Sequence, residues 1–233
     1  MPKIGKALKS VVEITPAREP AGKPRARPTS PLMNINRRKV FQHILLHPCS
    51  DLAGIASGTR LSRSTAAWHL SVLAHAGYAE RHINGKSPVY APAGMVRPQD
   101  VPALAALAGE GCASLYAAVA DAPGSDLGTL AQALAAKPSR LRPCIAWLTR
   151  AGLVSKVMDG RHARFFQTER LKAMVAETRS RHKAFIKRLM ARMAEERLSP
   201  EIRDMKRGNI RIMLTVLGRE YPLDIPQASI HPE

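Results

Sequence analysis

The chain has 233 residues, 45% of them hydrophobic and 4% aromatic, enough for two small cores and a tail. No apolar run reaches the roughly 18 residues of a spanning helix, and the Lys- and Pro-containing N-terminus lacks the apolar stretch of a signal peptide. Thirty-six Lys and Arg against 18 Asp and Glu leave a formal net charge of +18, which points to a polyanionic partner.

That charge is spread along the whole chain. Residues 1–33 carry seven basic side chains against two acidic, 34–95 seven against two, 96–166 eight against five and 167–233 fourteen against nine. A basic tail on a neutral body would look different. The pattern suits a protein whose whole surface meets phosphates, in the cytoplasm and associated with the nucleoid.

Residues 1–33 hold Pro2, Pro16, Pro20, Pro24, Pro28 and Pro31 and few large apolar side chains after Ile14. Such a segment buries too little to offset its ordering entropy, so it is expected to be a disordered basic arm. Within it, Pro24-Arg25-Ala26-Arg27-Pro28 resembles the core of an AT-hook. That resemblance implies Arg25 and Arg27 in a minor groove, although the AT-hook core has Gly where Ala26 stands.

The spacing of Val40, Ile44 and Leu45 predicts a helix ending at Pro48. Ser50-Asp51 then caps a short helix that Gly58 closes, and Ser62 caps a third, from Arg63 to Ala76, with Ala66, Leu70 and Leu73 on its inner face. After Gly77, two strands over 78–82 and 89–90 flank Asn84-Gly85, a hairpin signal with Lys86 beside its tip.

Pro92 to Pro102 is a Pro-rich link, after which the scheme returns. A shift of 75 places superimposes Pro48, Ser50, Asp51, Leu52, Ala56, Ser64, Leu73, Ala76, Gly77 and Gly85 on Pro123, Ser125, Asp126, Leu127, Ala131, Ser139, Leu148, Ala151, Gly152 and Gly160 without a gap. One offset held through helix, turn and hairpin is the mark of a repeated unit. In the second copy Lys137-Pro138-Ser139-Arg140-Leu141-Arg142-Pro143 opens the third helix, and Pro143 removes a backbone donor there.

A long helix is expected from about 169 to 198, with Leu171, Met174, Val175, Phe185, Leu189 and Met193 as a broken apolar stripe. Arg179, Arg181, Lys183, Lys187, Arg188 and Arg192 line its polar side. Dimerisation through this stripe, packing on its own domain and a basic brace along DNA are all open readings. Ser199-Pro200-Glu201 reads as a further helix start, while the alternation Ile210, Ile212, Leu214, Val216 suits a strand equally; helix is the preferred reading.

Leu61-Ser62-Arg63-Ser64-Thr65-Ala66-Ala67-Trp68-His69-Leu70, followed by Leu73 and Ala76-Gly77-Tyr78, resembles the recognition helix of winged helix-turn-helix regulators of the ArsR and MarR type. The resemblance covers about 50 residues in each copy and is degenerate in the second. It implies a mainly α fold with small β-hairpin wings: tandem winged helix-turn-helix domains plus C-terminal helices. The corresponding division is a disordered arm (1–33), domain 1 (34–95), a linker (96–110), domain 2 (111–167), C-terminal helices (168–217) and a tail (218–233).

The resemblance further implies that the third helix enters the major groove and that the wing straddles the neighbouring backbone. Ser62, Arg63, Ser64 and Thr65 then sit at a helix N-terminus, where short donors and unpaired N–H groups favour a phosphate. Trp68 lies off the inner face and is free either to meet DNA or to pack on the wing; Arg81 and Lys86 belong to the wing. His69 reads as a structural contact. Copy two offers Lys137, Ser139, Arg140 and Arg142, with Arg161 and Arg164 in its wing, as a backbone-gripping surface.

Cys49, Cys112 and Cys144 are odd in number and widely spaced, so reduced thiols are expected. Neither a metal site nor a cofactor is written in the chain, His43 and His47 notwithstanding, and no nucleophile–base or paired-carboxylate pattern marks an enzyme. The expected partner is double-stranded DNA, with a homodimer through the C-terminal helices possible and no membrane. The expected role is a transcriptional regulator, the alternative a low-specificity nucleoid-organising protein.

Overall fold

A computed structural model describes residues 30–206, 209–216 and 218–226. The AT-hook-like Arg25 and Arg27 lie outside the described residues, and so does the side chain of Arg179.

The first segment runs α1 (Ile35–Leu46), a two-residue strand β1 (Ser50–Asp51), α2 (Leu52–Thr59), α3 (Arg63–His75) and the hairpin β2 (Ala79–Asn84) and β3 (Ser87–Pro92). Local chemistry sets each boundary. The Asn34 side chain caps α1 by accepting from the N–H groups of Asn36 and Arg37, Asp51 caps α2 through Gly54, and Ser62 caps α3 through Thr65. Asn84 pairs with Ser87, so the loop of the hairpin is Gly85-Lys86, one place later than the Asn84-Gly85 expected, and Gly85 takes a φ of 63°.

The second segment contains α5 (Cys112–Asp121), α6 (Leu127–Ala133), α7 (Pro138–Arg150) and the hairpin β4 (Val154–Asp159) and β5 (His162–Gln167). The 75-residue offset holds for the backbone itself. The starts of α6, α7, β4 and β5 each lie 75 residues after those of α2, α3, β2 and β3. Left-handed residues also fall in pairs at this offset: Cys49 with Gly124, Arg60 with Ala135, Gly77 with Gly152 and Gly85 with Gly160. Even the contact that holds β1 recurs, because the Cys49 N–H donates to Tyr90 and the Gly124 N–H donates to Phe165.

Between the segments, the stretch expected to be a linker folds into α4 (Val101–Leu107), whose Val101, Ala103, Leu104 and Ala106 are buried in the second core. Two cysteines of that core also depart from expectation. Cys112, at the start of α5, and Cys144, in the middle of α7, form a disulfide with their Cα atoms 5.1 Å apart. Cys49 alone is a free thiol among the three, and burial pushes its pKa up to about 12.

α8 (Arg170–Glu195) is 26 residues long, roughly 39 Å at 1.5 Å per residue. Its first turns place Leu171 and Met174 in the second core, while Phe185, Ile186, Leu189 and Met193 enter the first. The apolar stripe is thus covered by this chain's own two cores. Its polar side supplies ties between elements. Arg188 donates to the Gly94 carbonyl at 3.0 Å, Arg192 donates to the Gly77 carbonyl, and Arg181 lies 3.8 Å from the buried Asp100. Asp100 also takes a bidentate bond from Arg97 at 2.8 and 3.2 Å.

The expected second C-terminal helix and the first part of the expected tail, to residue 226, are replaced by a three-stranded antiparallel sheet, β6 (Pro200–Lys206), β7 (Asn209–Val216) and β8 (Arg219–Pro226), in the order β6-β7-β8. The fold class is accordingly mixed α/β with three small antiparallel sheets, and not mainly α with hairpin wings alone. The alternation in β7 decides the matter physically. Ile210, Ile212 and Leu214 point one way, join Leu223 and Ile225 of β8, and close the first core beside α1 and α8. A helix over the same residues would scatter them around its axis. Among the described residues no single helix is long and apolar enough to cross a membrane.

Candidate nucleic-acid interface

α3 buries Ala66, His69, Leu70 and Leu73 and leaves Ser62, Arg63, Ser64, Trp68 and Ser71 exposed, with Thr65 partly covered. The helix is held by one strip and shows a different one to solvent. At its start the three hydroxyls form a cluster. Ser62 Oγ accepts from the Thr65 N–H at 3.1 Å and lies 3.0 Å from Ser64 Oγ and 2.8 Å from Thr65 Oγ1. Ser62 is therefore engaged as the cap, while the Ser64 and Thr65 hydroxyls remain at a helix N-terminus with its partial positive charge.

Trp68 is 55% exposed, with the His69 ring 4.8 Å away and the Arg37 guanidinium 5.5 Å from its ring centroid. Trp68 is thus exposed, and the imidazole and guanidinium beside it come from α3 and α1. His69 is the structural contact that its place beside Leu70 suggests, buried to 3% exposure. Burial lowers its pKa, and nearby Arg37 adds to the effect.

The hairpin β2–β3 carries Arg81 on its exposed side and Lys86 in the turn, beside the exposed Ile83. Arg63, Arg81 and Lys86 have no acidic partner among the described residues, so each keeps its charge available. Arg60 belongs with this group but is not singled out by sequence. It forms the left-handed C-cap of α2 at φ 56°, in the turn that leads into α3, and is exposed. The signal that could have found it is the cap position itself, where Gly or Asn is usual and a basic residue is costly to place.

The second segment differs in detail. Lys137 precedes α7 without capping it by its side chain, Pro138 opens the helix, and the helix continues through Pro143. Ser139, Arg140 and Arg142 are exposed on the first turns, and Arg161 is exposed in the hairpin turn. Two of the expected cations have acids nearby: Arg164 pairs with Asp159 at 3.2 Å, and Arg140 lies 3.8 Å from Glu110. Both pairs are solvent-exposed and contribute little to stability, but they reduce the positive field of this surface. Trp147, Val157, Met158 and Phe166 add exposed apolar area on α7 and the β4–β5 hairpin, where α3 and the β2–β3 hairpin of the first segment expose Trp68 and Ile83.

A scan of protein-family models finds no match to the chain, and no curated protein matches it. Among solved structures the chain is similar to ScpB from Mycobacterium tuberculosis, at 13% sequence identity and a TM-score of 0.25, over 59% of this chain and 94% of that one.

Proposed function

We propose that the chain is a duplex-DNA-binding transcriptional regulator with two winged helix-turn-helix units. In this reading α3 of the first unit lies in the major groove, the β2–β3 wing follows the adjacent backbone, and the second unit grips phosphates through Lys137, Ser139, Arg140, Arg142, Arg161 and Arg164. The observation that carries the reading is the first turn of α3: a hydroxyl-rich helix N-terminus, exposed, flanked by Arg60, Arg63, Arg81 and Lys86, which have no acidic partners among the described residues. Arginines bring planar donors for base edges as well as charge for phosphates. The role is one of binding and not of catalysis.

A second reading, a nucleoid-organising protein of low sequence preference, is favoured by the +18 charge spread through every segment. Competition between duplex from upstream of the chain's own gene, further genomic duplexes and random duplex, at about 150–200 mM salt, separates the two. A preference of about a thousandfold for one sequence is the regulator's result. Ratios near unity across all sequences contradict it and leave the architectural reading.

A further inference from the structure

One groove on the first segment is not explained by DNA binding. It lies between α1, the C-terminal end of α2 and the β8 strand, with a free volume of about 660 Å³, within the range of small-molecule sites. Its permanent charges are Arg38, Lys39 and Arg60, and among the described residues no acidic side chain lines it. Arg38 is committed, since it donates to the Leu32 and Met33 carbonyls at 2.9 and 3.0 Å and stacks 4.2 Å from the Tyr221 ring centroid. Lys39 and Arg60 are exposed and have no ion pair among the described residues.

Apolar surface accompanies these cations. Ile35 and Leu46 on the groove wall are 60% and 43% exposed, large values for side chains of this kind. His43 also lines the groove, and its Nε2 is buried with no hydrogen-bond partner among the described residues. The far wall is fixed, because the Gln42 side chain both donates to the Asp224 carbonyl and accepts from the Asp224 N–H.

Two comparisons inside the chain suggest that the groove is built for a ligand. Arg60 adopts a left-handed backbone that any side chain makes costly, and the equivalent residue of the second segment is Ala135, so the turn does not require an arginine. The wall supplied by Pro222 and Leu223 comes from the C-terminal sheet, which lies outside the 75-residue repeat.

We propose that this groove binds a small organic anion with an apolar body, its anionic head taken by Lys39 and Arg60 and its body lying along Ile35, Leu46 and Pro222. An amphipathic ligand uses both features of the groove, whereas inorganic phosphate leaves the apolar wall unused and a neutral hydrocarbon leaves the two cations unused. Arg60 is shared with the edge of the proposed DNA surface, whereas Lys39 and the apolar wall are not, and the groove does not require that the chain bind DNA.

The test is fluorescence titration of the full chain with 8-anilinonaphthalene-1-sulfonate, beside its uncharged counterpart N-phenyl-1-naphthylamine. Saturable binding of the sulfonate at one site per chain, about tenfold weaker for the neutral dye and weakened about tenfold or more by Lys39→Gln with Arg60→Gly, is expected; Lys156→Gln leaves it unchanged. Arg60→Gly suits the left-handed backbone better than arginine does, so this variant keeps its melting temperature while losing the charge. Equal affinity for both dyes, or no effect of the double variant, overturns the proposal. So does displacement of the sulfonate by a 24-base-pair duplex whose own affinity falls in Lys39→Gln alone, because Lys39 then belongs to a DNA surface. Dye binding with these properties in a chain that fails to bind any duplex leaves the groove in place and removes the DNA reading.

Discussion

At the scale of residues, histidine burial gives the molecule an acid-sensitive stability. Burial holds His43 down to about 4, with neighbouring His47 adding to the effect, and burial also lowers His47 and His182 below the ordinary value of 6.5. Among the described residues neither ring nitrogen of His182 has a hydrogen-bond partner. Below pH 6.5 the unfolded chain binds protons that the folded chain refuses, so stability is fully present above that pH and is lost as pH falls toward the folded value. For His43 the window is 6.5 down to about 4, with a slope of up to about 1.4 kcal/mol per pH unit. Urea midpoints measured from pH 7.5 to 4.5 are expected to fall in the wild type and to fall less steeply in His43→Gln. Parallel curves for the two proteins would show that His43 titrates in the folded state as it does in the unfolded one.

Residue chemistry also explains which parts of the interface are legible in sequence. Ser62, Arg63, Ser64 and Trp68 can be placed outward from helical spacing alone, because Ala66, Leu70 and Leu73 define the inner face. Arg60 is not legible in the same way, since Gly58 looks like the helix stop while α2 runs on to Thr59 and leaves Arg60 in the left-handed cap. The acids opposite Arg140 and Arg164 are equally hidden. Glu110 lies 30 positions from Arg140, and the pairing of Asp159 with Arg164 depends on hairpin register.

At the scale of elements, the capped helices and the hairpins follow from local signals, whereas the disulfide and the third sheet do not. Cys112 and Cys144 are 32 residues apart, and only the packing of α5 against α7 brings them together. In residues 199–216 a Ser-Pro-Glu helix start competes with a period-two alternation, and local propensity does not arbitrate. Pairing of β7 with both β6 and β8, over a face that completes the first core, makes the strand win. The disulfide carries a prediction at this scale. A loop of this length is worth about 3–4 kcal/mol by the chain-entropy relation, acting on the core that α5 and α7 share. Reduction, or Cys112→Ser with Cys144→Ser, is therefore expected to lower the unfolding free energy of the second segment by roughly that amount in urea titrations. An unchanged midpoint after confirmed reduction would contradict a stabilising cross-link.

At the scale of the whole molecule, α8 joins two cores that are otherwise served by separate helix sets, and the ties from Arg181, Arg188 and Arg192 fasten it to Asp100 and to the Gly94 and Gly77 carbonyls. Under the proposed function, this brace presents two basic surfaces as parts of one body, so that one duplex engages both. The charge distribution then has a measurable consequence, because each phosphate neutralised releases counterions and steepens the dependence of affinity on salt.

The most direct test is the salt dependence of duplex binding by fluorescence anisotropy, in the wild type and in Arg63→Ala with Lys86→Ala. If α3 and the wing contact phosphates as proposed, the double substitution lowers affinity for every sequence and reduces the slope of log affinity against log salt by about 2. An unchanged slope, with affinity and fold intact, would contradict the placement of this surface on DNA.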